Sequence, residues 1–227
     1  MRILALETSG FSGEVALLDG EHIVYEAMLA EGQRTAQSLA PGIAGALSAA
    51  GWKPADIQLV AVTIGPGSFT GLRVGVTTAK TFAYAVGCEV LGVDTLDAIA
   101  EQAPAIADRD LWAVLDAQRS QLFAKRFEAH GAHWQAATPA QIVDGEQWLV
   151  QLGSDLATGA GLKRWSLQLP EAQILPQSQW QPRAATVGKL AWRAYREGRR
   201  DDLWKLAPQY LRASAAEEKA ADPHNPA

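Results

Sequence analysis

The stretch Val62–Val76, VTIGPGSFTGLRVGV, constrains this chain more than any other. A short apolar run breaks at a glycine-proline turn and passes directly into a periodic segment, so it reads as strand, tight turn, helix. Gly65, Gly67 and Gly71 mark points of sharp turning or close backbone approach, which a residue without a side chain allows cheaply. Ser68 or Thr70 can cap the helix, leaving backbone N–H groups aimed out of the turn. Such a turn is a place where something binds; the alternative is a strand-to-helix connector with a structural job alone.

The spacing excludes a P-loop and weakens the dinucleotide-binding reading. A Walker A loop requires Lys and Ser or Thr directly after its last glycine, and here Leu72 and Arg73 follow Gly71. A dinucleotide fingerprint requires GxGxxG, whereas these glycines are spaced GxGxxxG. The acidic residue nearest the expected downstream position is Asp94, within the turn-like LGVDT.

Apolar residues make up 48% of the 227, enough to build one large or two small cores. The one cysteine, Cys88, excludes an internal disulfide and fits a reducing cytoplasmic setting; in the apolar run AYAVGCEVLGV it reads as a small buried residue rather than a nucleophile. No run of about 18 apolar residues is present, and Glu7 interrupts the first apolar stretch too early for a signal peptide. The chain is expected to be neither secreted nor membrane-spanning. A net charge of −5 argues against charge-driven binding of nucleic acid by the whole surface.

Patterning divides the chain into two halves. Arg2 to Leu6, Glu14 to Leu18 and His22 to Leu29 read as strands, Thr35 to Ala50 as helix, Leu59 to Ile64 as strand and Gly71 to Val86 as helix. Pro41 should kink the first helix or mark a late start. After Pro104 the pattern restarts with strands at Leu111 to Leu115, Gln121 to Glu128 and His133 to Ala136, and helices near Gly145 to Leu152 and Thr186 to Arg196. The segment from Gly153 to Arg183 shows little period and stays unplaced. The expected organisation is an α/β lobe over 1–104, a second, degenerate α/β lobe over 105–212 whose last helix could pack back on the first, and a flexible tail over 213–227.

GPGSFTGLRVG resembles, over eleven residues without a gap, the motif of the bacterial TsaB (YeaZ) family. ILALETSG with EVALL resembles that family's first hairpin, VLDAQRSQLFAKRF its ARR-x-EVY segment and APQYLR its P-x-YLR, so the likeness runs from about Met1 to Arg212. It implies an actin-like ATPase fold of two similar lobes. It further implies a non-catalytic partner and activator of the TsaD subunit, which forms N6-threonylcarbamoyladenosine at position 37 of tRNAs reading codons that begin with A. The implied assembly includes the ATPase TsaE, holds tRNA mainly through the complex, and is replaced by a homodimer when TsaD is absent. An independent ATP-dependent small-molecule kinase or ATPase of the same superfamily is the competing reading.

In related kinases the first hairpin carries an acidic residue and small polar residues that meet phosphate and metal; here that turn is Glu7, Thr8, Ser9 and Gly10. With Gly65, Gly67 and Ser68 it forms a candidate vestigial phosphate loop, able to hold an anion on backbone N–H groups. Glu7 lacks a second carboxylate in a comparable glycine turn, Asp116 being the nearest rival, so no cofactor of its own is expected and nucleotide binding stays open. The four histidines, His22, His130, His133 and His224, show no HExxH or paired spacing, and His130 and His133 flank the turn HGAH with no carboxylate beside them in sequence. No metal site is expected, as the resemblance also implies, and no nucleophile–base pair supports a protease.

Association is the main expectation. Gly71, Gly75, Ala79 and Ala83 recur at four-residue steps, as do Ala36, Ala40, Ala44 and Ser48, so each helix carries one bare stripe beside a face of larger residues. These eight residues are the candidate partner interface, the competing use being contact within the chain. Arg183 to Lys205 holds seven basic residues against three acidic; a solvated helix face is the expected reading and contact with the tRNA backbone the alternative, with Trp192 and Trp204 expected in the core.

Overall fold

The computed structural model describes residues 1–10, 12–30 and 32–212. The tail expected at 213–227 lies outside the described residues.

Two five-stranded sheets organise the chain, and the second repeats the first. In the first, β1 (Arg2–Glu7), β2 (Glu14–Asp19), β3 (His22–Met28), β4 (Leu59–Gly65) and β5 (Glu89–Asp94) lie in the order β3-β2-β1-β4-β5. β1 runs antiparallel to β2 and parallel to β4, with Ile3 opposite Leu59. Helix α1 (Thr35–Ala50) follows β3, α2 (Phe69–Val86) follows β4, and the short α3 (Thr95–Ala100) follows β5. In the second sheet β6 (Leu111–Asp116), β7 (Gln121–His130), β8 (His133–Ala136), β9 (Gln141–Asp144) and β10 (Leu156–Thr158) give the order β10-β6-β7-β8, with β9 on β7. β6 is antiparallel to β7 and parallel to β10, the relations β1 has to β2 and β4. Where the first sheet places β5 beside β4, the second has a single parallel bridge, Ala157 to Ile174. The helix after β10, α5 (Leu162–Trp165), has 4 residues against 18 in α2.

Period-two alternation on β1 and its neighbours makes both faces of the first sheet apolar. Leu4, Leu6, Val15, Leu17, Val60 and Val62 face α1 and α2. Ile3, Ala5, Ala16, Leu18, Leu59 and Ala61 face Ala184, Val187 and Ala191 of α6 (Ala184–Arg196), the last helix among the described residues. The second sheet buries Trp112, Val114 and Leu122 against Trp148 of α4 (Gly145–Leu152), α5 and Trp180, and its other face against Leu96 and Ile99 of α3. The unplaced stretch from Gly153 to Arg183 thus supplies tryptophan packing, β10, α5 and short 3₁₀ turns.

Several local expectations change. α2 begins at Phe69, with Ser68 as N-cap accepting from Gly71 N–H. α1 continues through Pro41, which loses one amide donor but sits on the exposed side. Asp94 belongs to no isolated turn: it ends β5 and caps α3 by accepting from Leu96 and Asp97 N–H. Cys88 is half-buried after the C-cap Gly87, and burial pushes its thiol up to about 11, so it stays protonated at neutral pH. Trp204 is 71% exposed rather than core. His133 does have a carboxylate neighbour, Glu101 of the segment after α3, 3.1 Å from its Nδ1.

Candidate functional site: the interlobe cleft and the outer helix face

Sequence-distant turns converge at the C-terminal ends of β1 and β4. Ser68 N–H donates to Ser9 O at 2.7 Å, which joins the Glu7–Gly10 turn to the glycine loop. They open on a cleft of about 500 Å³ lined by Ser9, Pro66 to Phe69, Asp116 to Arg119 and Gln209 to Arg212. Asp116, weighed from sequence as a rival to Glu7, stands on the opposite wall.

Within this frame Glu7 points inward. It is 2% exposed, and one carboxylate oxygen takes the Ser9 N–H at 2.6 Å, the Ser9 hydroxyl, and the Thr63 hydroxyl at 3.4 Å. Burial pushes its carboxyl up to about 7 against those hydrogen bonds. Ser9 is the one residue of the Glu7–Gly10 turn that lines the cleft. Thr8 is fully buried, and its hydroxyl has no hydrogen-bond partner among the described residues.

The motif glycines answer to this chain's own backbone. A Cβ on Gly65, whose φ is +127°, would fall 2.6 Å from Gln209 O, and one on Gly67 2.6 Å from Ser9 O. On Gly71 it would meet Thr8 O at 2.1 Å, and on Gly75 Thr8 Oγ1 at 2.0 Å. These distances lie far inside contact, so the motif is a packing solution in which β1, the loop, α2 and the segment around Gln209 touch. Two of the donors that an anion would use, Ser68 N–H and Gly71 N–H, are already spent on Ser9 O and Ser68 Oγ. That weakens the phosphate-loop expectation for Glu7, Thr8, Ser9, Gly10, Gly65, Gly67 and Ser68.

The bare stripes separate. Gly71, Gly75, Ala79 and Ala83 are all buried inside the chain, so they cannot meet another molecule; the expectation of a partner interface there is corrected. Ala36, Ala40, Ala44 and Ser48 of α1 are all exposed, while Leu39, Ile43 and Leu47 face the core. With Gln37, Pro41, Gly45 and Ala49 they make an outward face without one charge. Beside it α2 exposes Thr70, Arg73, Thr77, Thr81 and Tyr84.

Three features escape sequence reasoning. Gln118, Arg119 and Ser120 are consecutive non-glycine residues in the left-handed region (φ 62°, 51° and 62°), the first two on the cleft wall, and AQRSQ carries none of the usual Gly or Asn signals. Lys125 of β7 reaches Asp97 at 2.6 Å and Asp94 at 3.3 Å, a part-buried charge cluster between the lobes assembled wholly by tertiary contact. Burial would lower the lysine's pKa, yet the two carboxylates hold it above the usual range. Glu14 and Glu26 accept from Ala184 and Ala185 N–H, capping α6 across the sheet, with Arg183 paired to Glu26. The basic face of α6 is partly internal: Arg193 pairs with Glu101 at 2.6 Å and Arg196 lies over Trp192.

Among the described residues no cluster of three or more His, Cys, Asp or Glu is placed to hold a metal ion, and no helix is long and apolar enough to cross a membrane. Residues 31–220 match the family model described as TsaD: tRNA N6-adenosine threonylcarbamoyltransferase. The tRNA threonylcarbamoyladenosine biosynthesis protein TsaB of Escherichia coli is 28% identical over 96% of this chain and 98% of its own length. Its Bacillus subtilis counterpart is 26% identical over 96% and 97%. YeaZ from Pseudomonas aeruginosa shares the fold, with TM-score 0.79 at 24% identity over 92% of this chain and 99% of that one.

Proposed function

Because this chain belongs to the family of the TsaD-type tRNA N6-adenosine threonylcarbamoyltransferases and to the TsaB (YeaZ) proteins, we propose that it is a non-catalytic subunit of threonylcarbamoyladenosine formation in tRNA. In this reading it works in the cytoplasm, binds and activates the catalytic paralogue TsaD, joins TsaE in the assembly and pairs with itself when TsaD is missing. The outward face of α1 carries the proposal. Eight exposed residues without charge, most of them Ala or Gly, let another helix approach closely, and such a surface costs little to desolvate. The inward Glu7, held by Ser9, supports the absence of catalysis, since the one acidic side chain of the first turn is sealed from the cleft.

The interface on this reading is Ala36, Ala40, Ala44 and Ser48 with the open ridge of α2. Ala40→Arg and Ala44→Arg place a long charged group on that face and should leave the isolated chain's melting within about 0.5 kcal/mol of wild type. Binding to TsaD should weaken about tenfold or more, and tRNA modification by the mixture should fall with it. Complex mass by light scattering and a threonylcarbamoyl-transfer assay read the two effects. Normal pairing by both variants would overturn the α1 interface, and transfer by this chain alone would overturn the non-catalytic role.

A further inference from the structure

The segment after α6 doubles back along α2 and reaches the other lobe at Arg212. Its root is pinned to β5, where Gly92 N–H donates to Asp201 at 2.9 Å and Arg199 donates to Gly92 O at 2.9 Å. It then runs against the direction of α2. Trp204 meets Tyr84 edge-on at 5.6 Å between centroids, and Lys80 Nζ donates to the carbonyls of Trp204 and Leu206 at 3.1 and 2.9 Å. Farther along, Gln209 N–H donates to Ile64 O at 2.7 Å, and Tyr210 stacks on Phe69 at 4.0 Å. Arg73 locks that stack, with Nε donating to the Tyr210 hydroxyl at 2.9 Å and its guanidinium 4.1 Å from the Phe69 ring. Two residues later Arg212 crosses the cleft and donates to Ala117 O and Gln121 Oε1 in the second lobe.

We infer that residues 207–212 are a strap that ties the two lobes together and sets the opening of the cleft between them. The strap has one anchor on each wall. Its first-lobe anchor is a stacked aromatic clamped by an arginine, and its second-lobe anchor is a charged fork on the turn that holds Gln118, Arg119 and Ser120 left-handed. That turn is closed by its own pair of backbone bonds, Ala117 N–H to Gln121 O and Gln121 N–H to Gln118 O, both 2.9 Å. Strained backbone persists where its surroundings hold it, and Arg212 is bonded to both flanks of this segment. The first-lobe anchor grips α2 beside its exposed ridge, so the geometry joins an outer helix surface to the cleft wall through two side chains, Tyr210 and Arg212.

The test uses the full chain in a Cys88→Ser background, spin-labelled at Thr77 on α2 and Glu146 on α4, both exposed. Arg212→Ala and Tyr210→Ala should each broaden and lengthen the distance distribution between the labels. Hydrogen exchange at the Ala117 and Gln121 amides should speed up about tenfold or more in both, with α6 unchanged. Tyr210→Phe keeps the stack and loses the hydroxyl, and its distribution should fall between wild type and Tyr210→Ala. Should Tyr210→Ala fail to fold, Arg212→Ala decides alone, because its contacts are hydrogen bonds outside the apolar core. Distances and exchange rates equal to wild type in Arg212→Ala would overturn the strap.

Discussion

Glu7 is a carboxyl held in a space that favours its neutral form. With its pKa raised from 4.5 to about 7, chiefly by burial, its contribution to stability is fully present below about pH 4.5 and lost as pH rises through 7. Glu7→Gln removes the ionisation and keeps an acceptor for Ser9. Relative to wild type it should gain about 3 kcal/mol between roughly pH 4 and pH 8, read from denaturant unfolding at each pH. A pH-independent difference would mean that Glu7 is hydrated in solution. Gly71 offers a second residue-scale prediction. Alanine there is the better helix former by about 1 kcal/mol, yet its methyl would press on the Thr8 carbonyl oxygen, so Gly71→Ala should lower stability by about 1–3 kcal/mol net. The need for close approach at Gly65, Gly67, Gly71 and Gly75 was readable in the sequence. What approaches was not, because Thr8, Ser9 and Gln209 reach those glycines through sheet topology and through the path of the segment after α6.

The helices divide by what each periodicity can specify. α1 shows its large residues to the sheet and its small ones to solvent, as the pattern implies. α2 reverses the use of its small residues: Gly71, Gly75, Ala79 and Ala83 lie inward and let the helix settle closely on β1 and β4. A four-residue step locates a stripe on a helix without saying which side is wet, and in α2 the polar ridge of Thr70, Thr77 and Thr81 was the telling signal. β5 and α3 were hidden for a related reason. The run from Cys88 to Asp94 is short and apolar, and its cap, Asp94, looks like a turn residue until Leu96 and Asp97 N–H are seen on it. α6 has no cap of its own, since Arg183 makes no side-chain cap bond and carboxylates from β2 and β3 do the work. Glu14→Ala should therefore cost about 1–2 kcal/mol, with Glu14→Gln closer to wild type, measured by chemical unfolding.

At the scale of the whole molecule the chain is one design used twice and shortened the second time, with the α2 and β5 counterparts reduced to a single turn and a single bridge. The restart after Pro104 was visible as alternation. The reduced part was not, because a strand of three residues and a helix of four are too short to show any period. The placement of α6 has a consequence in time. Ribosomes deliver about 5–20 residues per second, so the nascent first sheet waits several seconds with the face of Ile3, Ala5, Leu18 and Ala61 bare until Ala184 arrives. A chain stopped at Arg183 should therefore bind a hydrophobic dye and sediment as aggregate, and the same fragment mixed at birth with a peptide of residues 184–212 should stay in solution. Birth order makes a late-made helix the guardian of the first sheet.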